Sequence, residues 1–488
     1  MKLFKKLASF ILAFAMVMAI AMPSVVMAVG DGSITITGAN PNHTFEAYQI
    51  FAGEVSGKTL SNLKWGNGVN EAGQKELGSA KDNAGQLKTE ANAKEFAYKV
   101  AKYLGTSAGE STPEGKNYKI KNLAPGYYLV KDKDGTVPDA EAYTKFILKV
   151  VGAAKVKVKS EVPTSQKKVK DTNDTTGDTT GWQDSADYDI GDQVPFQLTG
   201  TVANDFSDYK GAYKLVFHDK ESVGLTFNPN SVEVKVDGNK IEGGYTVKTT
   251  GLGDKCTFEV VFEDLRNIDS VHNGSVITVE YTSELNTNAV IGSEGNPNDM
   301  RMEFSNNPNV EQNGTTTYTP WDKVIVFTYK TIINKVDSKK HSLAGAAFKL
   351  EKVNKDGSNT LVHEFTADEN TTSFEFKGLD DGKYILTETK TPEGYNTMDP
   401  ITFEITATHD VESSNPTLTE LSGKKVTGEI EFTVSKDDGS LTADVVNNKG
   451  SELPETGGMG TTVLYAAGTL MILAAAAFLV MKKKAESK

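Results

Sequence analysis

A single cysteine, Cys256, stands in 488 residues. No disulfide can therefore close within the chain, and any covalent reinforcement has to come from other chemistry. Cys256 lies in the alternating run Cys256-Thr257-Phe258-Glu259-Val260-Val261-Phe262, which predicts a small buried core residue rather than a reactive thiol. Histidine is scarce too. His43, His218, His272, His341, His363 and His409 are scattered without the spacing of a zinc site, and no Gly-rich phosphate loop or Ser-His-Asp set stands out. An enzyme is disfavoured, and neither a cofactor nor a metal is expected. The formal charge is -13 and the body of the chain has no basic patch, which argues against a nucleic-acid partner.

What is present is the makeup of a strand-rich exterior protein: 38% hydrophobic and 24% charged residues, 44 glycines, and Thr, Val and Asn in short runs. The length suits about three domains. Residues 1–28 read as an export signal, with Lys2, Lys5 and Lys6 before the apolar run Leu7 to Ile20 and a small-residue cleavage site at Val26-Met27-Ala28. At the other end, Met459 to Met481 is apolar enough to span a bilayer, and Lys482, Lys483 and Lys484 would hold its end inside the cell. Just ahead stands Leu453-Pro454-Glu455-Thr456-Gly457. Motif, apolar helix and basic tail in that order resemble the cell-wall sorting signal of sortase substrates. The resemblance implies cleavage between Thr456 and Gly457 and transfer of the threonine carboxyl to an amine.

Between the ends the pattern predicts a mainly β chain of three tandem immunoglobulin-like sandwiches, over 29–160, 161–328 and 329–450, with 451–488 as the sorting signal. One helical stretch is expected near Ala91 to Leu104, and Asp171 to Asp184 reads as a loop. Period-two strands such as Tyr384-Ile385-Leu386-Thr387 alternate with Gly/Asp turns, as in antiparallel sandwiches. Leu343 to Lys352 ("LAGAAFKLEK") and Gly382 to Tyr395 ("GKYILTETKTPEGY") resemble the collagen-adhesin B-type repeat. Tyr384, Leu386, Glu388, Thr389, Pro392, Gly394 and Tyr395 fall where the E-box of Gram-positive pilins has its signature. The middle segment, through "YDIGDQVPFQLTGTV", "HDKESVGLTF" and "SNNPN", is similar to the second domain of pilus backbone subunits.

That family resemblance implies isopeptide bonds, in which a buried lysine amine attacks an asparagine Cγ beside an acid and ammonia leaves. The chemistry needs burial. Desolvation favours the neutral, nucleophilic amine and the protonated, proton-shuttling carboxyl. In the third domain each polar candidate continues an apolar row on its strand, Ile333 with Lys335, Leu386 with Glu388, and Val445 with Asn447. Lys335 is the expected nucleophile, Asn447 the electrophile, with Asn448 in reserve, and Glu388 the acid. For the middle domain the expectation is Lys168, with Lys170 competing, then Asn306 in preference to Asn307, and Asp219 with Glu280 as its rival. In the first domain Asp132 stands at the acid position. The opening strand has no lysine, so no bond is expected there.

A shaft subunit also needs a lysine that a pilin sortase can join to the next subunit. The "YPKN"-like motif of backbone pilins is missing, and position before Pro163 selects Lys159, with Lys157 second. Alternation of Lys155, Lys157 and Lys159 equally fits a charged edge strand. The resemblance implies a covalent pilus backbone subunit anchored to the cell wall and supporting adhesion. A monomeric wall-anchored adhesin or ancillary pilin is the alternative. Implied partners are a pilin sortase, a housekeeping sortase, other copies of the chain, ancillary pilins, peptidoglycan and host surface ligands.

Overall fold

The structure, a computed structural model, describes residues 32–56, 59–150, 152–157, 162–310, 314–449 and 459–485. Strands dominate and form six sheets that pack as three successive pairs. Alternating burial along strands such as Gly32–Thr37 and Gln193–Thr201 turns one row of side chains into each core and leaves the other at the surface.

In the first pair, a four-stranded sheet faces a five-stranded one over Ile34, Ile36, Phe45 and Tyr118. Its outer face carries three helices, where the sequence pattern predicted one. Glu71–Leu77, Ala80–Gln86 and Glu90–Ala101 each start behind a side-chain cap, from Asn70, Ser79 and Thr89. They cover a second small core of Phe51, Phe96 and Val100. The first two are seven-residue helices, too short to show a clear 3.6-residue period.

The middle pair is the largest, a six-stranded and a seven-stranded sheet around Phe196, Phe217, Phe258 and Met302. Its last strand, Asp322–Phe327, serves two cores at once. Val324 and Val326 point into the middle domain, whereas Ile325 and Phe327 belong to the core of the third. After Thr328 the chain enters Tyr329–Asp337, the first strand of the third pair, with no linker between. Further contacts tie the two domains. Ile190 donates its amide to the Gly378 carbonyl, and Gly378 has φ +74 with Ile190 packed where a Cβ would stand. The expected loop from Asp171 to Asp184 is irregular and reaches across the junction, with Thr175 bonded to the Val353 carbonyl and Asn173 to Asp381.

In the third domain the first and last strands lie side by side and parallel, Tyr329–Asp337 against Ser440–Asn447, with Lys335 opposite Val445. Beyond them, Met459–Ala485 is one 27-residue helix. From Leu464 to Leu479 its side chains are exposed all round apart from one half-buried position, and Met481 and Lys482 are exposed as well. An apolar surface on every side belongs in an apolar medium. Among the described residues no helix is long and apolar enough to cross a membrane.

Candidate cross-linking sites

In the third domain Lys335, Glu388 and Asn447 meet in the core, at 0%, 5% and 1% exposure. Parallel pairing of the first and last strands brings this about. Lys335 sits across from Val445 and donates from Nζ to the Val445 carbonyl at 2.9 Å, and Asn447 lies two residues further along the same row. Glu388 comes from the facing sheet, on Gly382–Lys390, and accepts both contacts of Asn447 Nδ2, at 2.8 and 3.1 Å. Burial lowers the Lys335 pKa to about 8, with the negative charge of Glu388 opposing that shift. A neutral amine is therefore within reach at ordinary pH. Asn447 Oδ1 is buried without a hydrogen-bond partner. Asn448, the reserve position, is exposed and accepts from the Asn396 amide through its backbone.

The middle domain corrects two sequence expectations. Its core lysine is Lys167, fully buried, whereas Lys168 is partly exposed and pairs with Asp184 at 2.5 Å. On Ser165–Val169 the inward row is Lys167 and Val169. Val169 is the only apolar residue of "KKVKD", and the two-residue rule used for Ile333 and Lys335 would have selected Lys167. The asparagine differs as well. Asn306 sits near the first domain, bonding the Glu141 carbonyl at 3.2 Å and Thr315 at 2.7 Å. The row of Met300, Met302 and Phe304 instead continues backwards to Asn298, which is fully buried. Both directions of one row were open to a sequence reading, and only the facing sheet distinguishes them.

Asp219 lies in the core as expected, fully buried on Leu215–Glu221. Its Oδ2 accepts from Lys167 Nζ and, at 2.9 Å, from the Tyr281 hydroxyl. The rival Glu280 is on the outer face, paired with Gln197 and Lys235. Asn298 Nδ2 donates to Tyr281 at 3.0 Å. Burial drives Lys167 down and Asp219 up, each toward its neutral form, while their mutual attraction opposes both shifts. Asp219 Oδ1 and Asn298 Oδ1 have no hydrogen-bond partner. Tyr281 escaped the sequence reading because its run "ITVEYT" is an ordinary strand; its part in the cluster follows from the facing strands.

The first domain is built otherwise. Asp132, fully buried, meets His43 at 2.7 Å and accepts from the Thr144 backbone and hydroxyl at 2.6 and 2.8 Å. Cys256 is half-buried just ahead of Phe258–Phe262 rather than inside the strand, and desolvation raises its thiol pKa, with Asp254 adding to the effect. Folding also gathers groups that sequence spacing kept apart: His218 with Asp254 and Cys256, His409 with Asp171 and Asp187, and Asp174, Asp189, Asp192 and Asp380 with one another. These sets have the ligand types of metal sites, where the sequence had suggested none. Lys352 already neutralises part of the last set, contacting Asp174, Asp189 and Asp380.

Lys155 and Lys157 are exposed on the edge strand Ala153–Lys157, with Val156 turned inward. Lys159, the export signal and Leu453 to Gly457 lie outside the described residues.

Two consecutive β-sandwiches therefore each bury a lysine, an asparagine and an acid in their core. Residues 330–417 match the family model for the SpaA prealbumin-like fold domain, and residues 445–488 match the LPXTG cell wall anchor motif. The trypsin-resistant surface T6 protein of Streptococcus pyogenes serotype M6 is 27% identical over 398 residues, 67% of this chain and 70% of that one. The solved structure of the T6 backbone pilin of serotype M6 Streptococcus pyogenes, described as a modular three-domain protein, superposes with a TM-score of 0.57. Identity there is 20%, over 86% of this chain and 98% of that one. The full-length major pilin SpaD of Corynebacterium diphtheriae gives 0.52 at 18% identity, over 86% and 98%. The chain thus carries a SpaA prealbumin-like domain and an LPXTG cell wall anchor motif, is similar in sequence to the T6 surface protein, and shares its fold with the T6 and SpaD pilins.

Proposed function

We propose that the chain is the repeating shaft subunit of a covalent polymer, stiffened internally by two amide bonds. Lys335 joins Asn447 with Glu388 as the acid, and Lys167 joins Asn298 with Asp219 as the acid. The observation that carries this reading is Lys335 itself, buried with a lowered pKa beside Asn447 and Glu388. A lone ammonium there would cost several kcal/mol. Conversion to an amide removes that cost and leaves a neutral cross-link.

Domains at 29–160, 161–328 and 329–450 then act in series along the load. The 1–28 signal exports the chain, and the Met459 to Met481 helix holds it in the membrane until a pilin sortase cuts between Thr456 and Gly457. Thr456 of one subunit is joined to Lys159 of the next, and a housekeeping sortase transfers the finished fibre to peptidoglycan. Ancillary pilins and host surface ligands complete the set of partners.

Two measurements test this. Intact mass of the secreted chain should fall short of the sequence mass by two ammonia losses, about 34 Da; a full mass sinks the cross-linking scheme. Wall extracts should give a ladder of SDS-resistant bands that collapses on Lys159→Ala. One anchored band in the parent strain would favour the monomeric adhesin instead.

A further inference from the structure

The Tyr281 hydroxyl touches all three members of the middle cluster. It accepts from Lys167 Nζ at 2.7 Å and from Asn298 Nδ2 at 3.0 Å, and donates to Asp219 Oδ2 at 2.9 Å. One proton and two lone pairs are all that a hydroxyl has, and each is in use. The ring is wedged against Phe196, Phe227 and Phe258, with centroids 5.4, 5.5 and 4.9 Å away. Burial keeps the phenol protonated far above its ordinary range. Lys167 and Tyr281 come from one sheet, Asp219 and Asn298 from the other.

In the third domain the acid reaches the amide nitrogen directly, Glu388 holding Asn447 Nδ2 with both oxygens. In the middle domain both hydrogen bonds of Asp219 Oδ2 go to Lys167 and Tyr281, and the hydroxyl stands between that acid and the amide nitrogen. We propose that Tyr281 is a catalytic proton relay for the Lys167–Asn298 cross-link, an inference that rests on the cross-linking reading above.

The steps balance as follows. Lys167 first gives one proton to Asp219, making a neutral amine and a neutral acid. The amine attacks Asn298 Cγ, forming the new C–N bond. As the Cγ–Nδ2 bond breaks, Tyr281 passes its proton to Nδ2 and recovers one from Asp219. The proton left on the new amide nitrogen returns to Asp219. Neutral ammonia departs, and the acid ends protonated beside a secondary amide. Glu221 is the competing donor, since its Oε1 lies 3.4 Å from Asn298 Nδ2 and its pKa is raised to about 7 by burial and by the charge of Asp219.

The test uses the full chain, followed from the end of cell-free synthesis, with both cross-linked peptides quantified by mass spectrometry after digestion. Tyr281→Phe keeps the ring and loses the relay. The Lys167–Asn298 peptide should form about 100-fold more slowly, the usual scale of a lost acid–base group. The Lys335–Asn447 peptide of the same molecules should form at the parent rate. Tyr281→His, which can carry a proton, should recover part of the loss, and Glu221→Gln should have little effect. Equal rates in the parent and Tyr281→Phe, no difference between Tyr281→Phe and Tyr281→His, or a loss confined to Glu221→Gln would each overturn the relay. A parent chain with no Lys167–Asn298 peptide would overturn the cross-linking reading itself.

Discussion

The middle and C-terminal domains bury the same three kinds of group by different routes. In the C-terminal domain Lys335 and Asn447 sit on neighbouring parallel strands of one sheet, and Glu388 reaches over from the other. In the middle domain Lys167 and Asn298 belong to opposite sheets. One prospective bond fastens the first strand of a domain to its last; the other fastens sheet to sheet. The common requirement is a dry core that gathers amine, amide and acid. Strand order within the domain is free to differ.

The largest effect should come from removing either bond. The Lys335–Asn447 loop closes about 110 residues and the Lys167–Asn298 loop about 130, and chain entropy makes each worth roughly 4–5 kcal/mol with little between them. Asn447→Ala and Asn298→Ala should therefore lower the unfolding temperature of their own domains by similar amounts, and each should shrink the deficit against the variant's own sequence mass by one ammonia, read by calorimetry and intact mass. A large asymmetry would show that the two clusters are not equivalent.

The first domain sharpens the contrast, because Asp132 meets His43 and Thr144 where the other two acids meet a lysine or an asparagine. Under limited proteolysis the first cuts should fall within residues 32–157, and this domain should melt at the lowest temperature. Early cuts in the middle domain would reverse the ranking.

At the junction the direction of the pH response follows from four side chains. Burial raises Asp171 and Asp192 to about 6 and Asp381 to about 7, and Asp171 and Asp187 hold His409 at about 9 against its desolvation. All four bind protons more tightly folded than unfolded, so their stabilising contribution is lost as pH rises through these values. Asp254 and Glu303, held at about 2, act the other way only below about pH 4. Hydrogen-exchange protection in Asp171 to Asp192, taken relative to the intrinsic rate at each pH, should therefore be greater at pH 5 than at pH 8. A smaller effect is expected at the residues that the structure moved out of the cluster. Lys168→Ala loses a partly exposed ion pair and should cost less than about 1 kcal/mol, with no change in cross-linking by mass.

The sandwich architecture, the tandem organisation and the third-domain trio are legible in the sequence, because strand alternation is local and the E-box ties Glu388 to a recognisable strand. The sorting motif is legible for the same reason, since motif, apolar run and basic tail are contiguous. The choices of Lys167 over Lys168 and of Asn298 over Asn306 rest on register and on which end of an inward row meets the facing sheet. The first lay within reach through Val169; the second did not. Tyr281 and the acidic junction are wholly tertiary, because hydrogen-bond sharing and electrostatic crowding depend on distances between strands far apart in the chain. Local periodicity decides which face of a strand is buried, and only the packed sheets decide what that face meets.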